Sequence, residues 1–172
     1  MSFRTVGQRL VEILEDAIGG SPDLNAADGS DTIRRDLTAS EVSYGPLIFK
    51  QPFPNIWIEW TGAGFEYVMA AGERQTRQQR YNIWIVSLVS GAEPKTGADT
   101  ETQIANAEQD IQILTQNIIK VLMAEIQDTS AAREWYLLSF GDLEVSDEVS
   151  EAGVWCKVGK LPVSLELEYS TT

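Results

Sequence analysis

The sequence predicts an α+β fold, an antiparallel-rich sheet of about four to six strands with two main helices packed on it. Three observations point there. Two segments, 2–18 and 99–127, repeat apolar residues at three- and four-residue spacing, the period of a half-buried helix. Several others alternate with the two-residue period of a strand. The order, helix, strands, helix, strands, is not the regular alternation of a doubly wound parallel sheet. With 172 residues, 43% of them hydrophobic, the chain is sized for a single domain over residues 1–172.

The first helix, 2–18, carries Phe3, Val6, Leu10, Ile13, Leu14 and Ala17 on one side and Arg4, Gln8, Glu12 and Glu15 on the other. Ser2 is placed to cap it, and Gly19-Gly20 supplies a left-handed stop. Residues 19–46 follow, rich in Gly, Ser, Asp and Asn, with only Ile33, Leu37 and Val42 as later apolar positions. So long a connection exceeds the ~12–15 residues usual for a structureless loop. It reads as a mobile or irregular, partner-facing segment, with a short helix near Thr32–Leu37 as the alternative.

The sheet and the long helix occupy 47–170. Ile56-Trp57-Ile58-Glu59-Trp60 alternates between Pro52 and Pro54 on one side and Gly62 and Gly64 on the other. Phe65–Ala71 reads as a second strand, Gly72-Glu73 as a turn and Gln75–Val89 as a third, longer strand. In that strand both parities are apolar: Tyr81, Ile83, Ile85 and Val89 on one, Trp84, Val86 and Leu88 on the other. A strand covered on both faces belongs in the middle of its sheet. The 99–127 helix bears the stripe Ile104, Ala107, Ile111, Leu114, Ile118 and Val121, extended by Leu122 and Ile126, and Thr100 and Gln103 have capping-box spacing. The stripe suits burial against the chain's own sheet better than a coiled coil, which needs more heptads. Trp135–Phe140 and Val154–Tyr169 close the chain. In the last strand Val154, Cys156 and Val158 share one parity, and Leu161, Val163, Leu165, Leu167 and Tyr169 the other. Such a switch predicts a bulge at Gly159 or Lys160, with Pro162 marking an edge or an interruption of pairing.

Composition narrows the chemistry. The chain has no histidine and one cysteine. The commonest general base, the Ser-His and Cys-His nucleophile pairs and every histidine-containing metal site are thereby excluded, as is an internal disulfide. The lone thiol leaves a reducing cytoplasm as the simplest compartment. There is no apolar run of membrane-spanning length and no signal-peptide core, so no membrane association is expected. Asp23–Gly29 hints at a calcium loop, but Ala26-Ala27 is one residue too many, and the twelfth position is Arg34 where a glutamate should close the site. A polar turn is the better reading. Glu166 and Glu168 share a strand face and could be a catalytic carboxylate pair, yet the opposite parity is cleanly apolar, which makes them the solvent side of the strand. Cys156 alternates with valines and reads as a buried, inert thiol. No enzyme, metal or cofactor is expected.

Charge supplies the remaining candidates. The net charge is −13, opposite to what phosphate-backbone binding requires. Arg74, Arg77 and Arg80 are the only basic cluster. A subunit or partner contact is the leading reading, a solvated hairpin arm the next; nucleic acid is disfavoured because no aromatics separate the arginines. Up to residue 98 there are nine basic and twelve acidic residues, thereafter four and fourteen. Asp142, Glu144, Asp147, Glu148 and Glu151 crowd the connection between the last two strands. They serve either solubility or a surface past which DNA moves without sticking.

One resemblance organises these features. An N-terminal helix, a strand pair leading into Tyr81-Asn82-Ile83-Trp84-Ile85-Val86, a helix carrying Ala107-Glu108, Ile111, Leu114, Ile118 and Val121-Leu122, and a terminal strand ending Leu165-Glu166-Leu167-Glu168-Tyr169 resemble the tail-terminator (tail-completion) proteins of tailed bacteriophages. The resemblance spans about residues 47–170 as a pattern of elements without an invariant motif; the 19–46 segment departs from it. It implies a structural virion protein, made in the host cytoplasm, that assembles as a homo-oligomeric ring, usually a hexamer. The ring caps the tail tube and joins it to the head-side neck proteins. Arg74, Arg77 and Arg80 would then serve a subunit contact. The acids Asp142, Glu144, Asp147, Glu148 and Glu151 would face a channel through which DNA passes without specific binding. Another neck or head–tail connector protein, an acidic inhibitor that mimics DNA, and a small enzyme using carboxylates alone are the competing readings. A monomer would favour the mimic.

Overall fold

The structure is a computed structural model that describes residues 3–68, 74–90, 98–127, 137–150 and 153–170. In chain order the elements are α1 (Phe3–Asp16), a single 3-10 turn (Ala39–Glu41), β1 (Val42–Tyr44), β2 (Asn55–Val68), β3 (Arg74–Ser90), α2 (Ala98–Gln127), β4 (Leu137–Phe140), β5 (Glu144–Val149) and β6 (Trp155–Ser170). The strands form one six-stranded open sheet in the order β1-β2-β3-β6-β4, with β5 also paired to β6. All pairings are antiparallel except β1 with β2. The expected α+β class, strand number and two main helices are all present.

Both helices lie on one face of this sheet. The stripe of α1, Val6, Leu10, Ile13 and Leu14, joins Ile111, Leu114 and Ile118 of α2 over Ile56, Ile58, Tyr81, Ile83, Ile85, Leu161, Val163 and Leu165. Burying each such aliphatic side chain contributes roughly 1.5–3 kcal/mol, so this face holds most of the stability. The start of α1 places Gly7 under the Tyr44 ring, in space a Cβ would occupy. Gly19, with φ 73°, supplies the stop after it. The capping-box expectation for α2 fails: the helix begins at Ala98, so Thr100 and Gln103 already lie inside it.

β3 is central, as its two-sided pattern requires. It pairs with β2 on one side and β6 on the other. The stretch expected as two strands, 56–60 and 65–71, is instead the single strand β2. Gly62, at φ 146°, lies at a bulge between Trp60 and Gly62, and pairing with β3 resumes beyond it. The extra residue is absorbed without breaking the ladder. The Gly72-Glu73 turn lies outside the described residues.

The bulge expected at Gly159 or Lys160 is absent; β6 pairs with β3 in unbroken register from Cys156 to Ser170. The apolar parity switches because the two halves of β6 serve two cores on opposite faces. Leu161, Val163 and Leu165 face the helices. Cys156 and Val158 join Trp57 and Val86 on the other face, beneath Leu47, Phe49 and Phe53. Pro162 does mark an interruption: it stands where β4, ending opposite Val163, gives way to β5, beginning opposite Lys160. Its carbonyl accepts from the Gly141 N–H at 2.8 Å, so the amide proton it lacks would point to that same gap and no β3 bond is lost.

Residues 19–46 are irregular and packed against the helix side of the sheet. Leu24, Ile33 and Leu37 are buried in the helix-side core. Asn25 ties the segment to itself, its Nδ2 donating to the Leu37 carbonyl at 2.9 Å and its Oδ1 accepting from the Leu37 N–H at 2.8 Å. Asn117 of α2 donates to the carbonyls of Leu24 and Ala26 at 2.9 and 2.8 Å. No helix forms at 32–37; the only helical turn of the segment is Ala39–Glu41, where the Glu41 carboxylate accepts from the Thr38 N–H and hydroxyl.

Candidate functional site

The three arginines do not build one surface. All lie on β3, but the spacing of three puts position 77 on the opposite face of the strand from positions 74 and 80. Arg74 stands in register with Val68 and Ser170, Arg77 with Phe65 and Leu167, and Arg80 with Gly62 and Ser164. The side chains of Arg74 and Arg77 lie outside the described residues. Arg80 is exposed, and its guanidinium lies over Gly62, 3.9 Å from where a Cβ there would stand. The glycine thus opens a path for the arginine across β2.

The acids expected at a hairpin tip belong largely to a strand. Glu144, Asp147 and Glu148 lie on β5, whose six residues are all exposed, and Asp142 is exposed just before it. Glu151 lies outside the described residues. Alternation divides the group. Asp147 points to the helix side, where Lys157 of β6 bonds it at 3.0 Å and reaches Glu108 of α2 at 3.3 Å. Burial opposes the charge on Lys157, but the bonds and charges of Asp147 and Glu108 outweigh it and hold the ammonium above its usual range. Glu144 and Glu148 share the helix-free face, and Glu144 is paired with Lys160. Two of the expected channel acids are therefore neutralised within the subunit. Asp142 and Glu148 have no ion pair among the described residues.

A buried polar cluster went unread in the sequence. Asp110 of α2 accepts from the Arg34 backbone N–H at 3.0 Å, from Arg34 Nε at 2.8 Å and from the Ser87 hydroxyl at 2.7 Å, while Arg34 Nη2 donates to Ser87 Oγ and to the Leu88 carbonyl, each at 2.7 Å. A serine beside an aspartate could suggest a nucleophile. Yet Ser87 is fully buried and Asp110 is 1% exposed, so no substrate reaches either. The cluster clamps the 19–46 segment onto α2 and β3. Its signal was present: Asp110 and Asn117 are a heptad apart, each directly before an apolar stripe residue, and so share one flank of the helix.

Asp23 Oδ1 accepts from the Gly19 and Asn25 N–H groups at 2.9 and 3.0 Å, which makes the Asp23–Gly29 stretch a polar turn. No group of three potential metal ligands occurs among the described residues. Burial raises the Cys156 thiol to about 11, far from a thiolate at neutral pH. Glu166 is half-buried on the helix-free face, opposite in parity to buried Leu165; the side chain of Glu168 lies outside the described residues. Among the described residues no helix is long and apolar enough to cross a membrane.

The geometry that stands out is the sheet's two sides. β1 pairs β2 only at residues 56–58, and among the described residues nothing pairs the outer edge of β2 from Glu59 to Val68. On the far side β5 pairs β6 alone. Neither the family models nor the curated proteins with which the chain was compared match it.

Proposed function

We propose that this chain is a structural virion protein, a tail terminator whose ring, a hexamer in the family it resembles, caps the tail tube of a bacteriophage and joins it to the head-side neck. The observation that carries the reading is the open sheet. Among the described residues its two edges, β2 beyond β1 and β5, present unpaired backbone on opposite sides, while both helices occupy one face. A subunit of this form adds to its neighbours head to tail, and such heterologous contacts generate rings when the rotation closes. The element order agrees with the family pattern, and the clusters found among the described residues are clamps and turns rather than reaction centres. In this reading the chain is not an enzyme and needs no cofactor. DNA crosses the ring without holding to it, because a subunit of net charge −13 repels phosphate.

Negative-stain imaging of the purified protein, alone and with tail tubes, tests the proposal. Rings that seat on one end of the tube are expected. A chain that stays monomeric and leaves tubes uncapped overturns it and favours the acidic inhibitor.

A further inference from the structure

The geometry points to a specific contact between copies of this chain: the outer edge of β5 in one copy pairs antiparallel with the outer edge of β2, Glu59–Val68, in the next, with Glu148 meeting Arg80 across the joint. The inference rests on the reading of the chain as a ring-forming subunit and names the surface that builds the ring.

Two of the usual edge guards are missing from both edges, though β5 carries three acids and β2 the Gly62 bulge. Neither β5 nor Glu59–Val68 contains a lysine or a proline, the residues that ordinarily keep an open edge from pairing. Gly62, Ala63 and Gly64 leave the β2 edge sterically open. The polarity is right without any turn of the subunit. β2 and β6 run one way and β3 and β5 the other, so copies in the same orientation bring β5 against β2 antiparallel, each sheet face continuing into the same face of its neighbour.

The faces then match along the helix side and, on the other, at Glu148 and Arg80, while Glu144, paired with Lys160 in its own copy, stands level with Glu66. On the helix side β5 exposes Val145 (48%) and Val149 (56%), and the β2 edge exposes Trp60 (46%). These are three of the few large apolar side chains left in solvent, and pairing the edges covers them together. On the helix-free side Glu148, with no ion pair among the described residues, stands at the β5 edge, and Arg80 lies over Gly62 at the β2 edge. Setting Glu148 opposite Gly62 also brings Val145 level with Phe65 of the neighbour.

This register has a geometric consequence. Glu148 is level with Cys156 and Gly62 with Ser164, so each copy is stepped eight residues along β6 relative to the last. That is about 27 Å at ~3.4 Å per residue, beside a repeat of four strands, β2, β3, β6 and β5, about 19 Å wide at ~4.8 Å per strand. Strands stepped this way incline by roughly 55° to the ring axis, more steeply than the ~35–45° of closed barrels. The contact also assigns Glu148 to the subunit joint rather than to the channel.

Charge exchange in the full-length chain tests it. Sedimentation velocity over a concentration series is measured for the wild type, Arg80→Glu, Glu148→Lys and the double variant. Both residues are exposed, so thermal melts of all four should coincide at concentrations where each is monomeric. Each single reversal should weaken self-association at least tenfold, and the double variant should recover most of it. Assembly that ignores the single reversals, or that the double variant fails to recover, overturns this contact and leaves the ring reading standing. A wild type that is monomeric at every concentration also overturns the contact; tube-capping images then decide separately whether the ring reading falls with it.

Discussion

Ile111 of α2 fills the space that a side chain at Gly159 of β6 would need: a Cβ there would stand 2.7 Å from Ile111 Cγ2 and 3.3 Å from Leu143 Cδ1. The glycine marks close approach of helix to sheet rather than the bulge its pattern suggested. Gly159→Ala should therefore destabilise the protein by about 1–3 kcal/mol through overpacking. Pairing it with Ile111→Leu, which removes the Cγ2 methyl at the clash, should recover part of the loss, as read by denaturant midpoints.

The Arg34–Asp110 clamp should respond asymmetrically. The Arg34 side chain is 37% exposed and that of Asp110 1%. Asp110→Asn leaves an arginine that can turn to water, at a cost of about 1–2 kcal/mol. Arg34→Met strands a buried carboxylate and should cost about 2–4 kcal/mol, even after allowance for solvent screening on the arginine side. Both variants should speed proteolysis within residues 19–46 more than elsewhere. Equal costs for the two would show that the charge is not what holds the segment.

Acid should loosen the 3-10 turn. Burial opposes ionisation of Glu41, but hydrogen bonds from the Thr38 hydroxyl and N–H and from Ser40, with the charge of Arg35, hold its carboxyl below the ordinary 4.5. A carboxyl lowered in the folded state binds fewer protons there than in the unfolded chain. Its stabilisation is complete above about 4.5 and is lost as pH falls through the folded value. Glu41→Gln should thus be less stable than the parent by about 1 kcal/mol at pH 7. The difference should shrink as pH falls below about 4.5 and vanish once the carboxyl is protonated in the folded protein, and a gap independent of pH would refute the assignment.

Cys156 should be silent. With its thiol pushed to about 11 by burial, alkylation in the folded protein at pH 8 should proceed at least a hundredfold more slowly than in denaturant. Labelling at the rate of an exposed thiol would place Cys156 outside the helix-free core.

Much of this fold was legible because periodicity is local. The α1 and α2 stripes and the two-sided pattern of β3 each specify an element and its buried side from a short window of residues. What misled was any pattern whose cause lies elsewhere in the chain. The parity switch in β6 looks like a bulge until the cover over Cys156 and Val158, contributed by residues more than a hundred positions earlier, is known. The polar composition of 19–46 looked mobile because Leu24, Ile33 and Leu37 are sparse, yet Asp110 and Asn117 of α2 satisfy its backbone. Of the candidate site, the residues were legible and their grouping was not. A spacing of three splits Arg77 from Arg74 and Arg80 once the segment is a strand, and the acids of 142–148 sort by the alternation of β5. Sequence also gave no sign that Lys157 and Lys160 would neutralise two of them.

Pro162 divides the sheet's last position into two short strands with no continuous ladder between them. Amides of β5 can therefore release from β6 without unzipping β4, since no hydrogen bond spans the gap from the proline nitrogen. β5 is consequently its own opening unit, able to shed and regain its pairing while both cores remain shut. In the proposed ring, where β5 would join a neighbour and adjust its angle to close the circle, this gap would act as a hinge. That freedom is written in one imino acid, and replacing it would tether the edge to the body of the subunit.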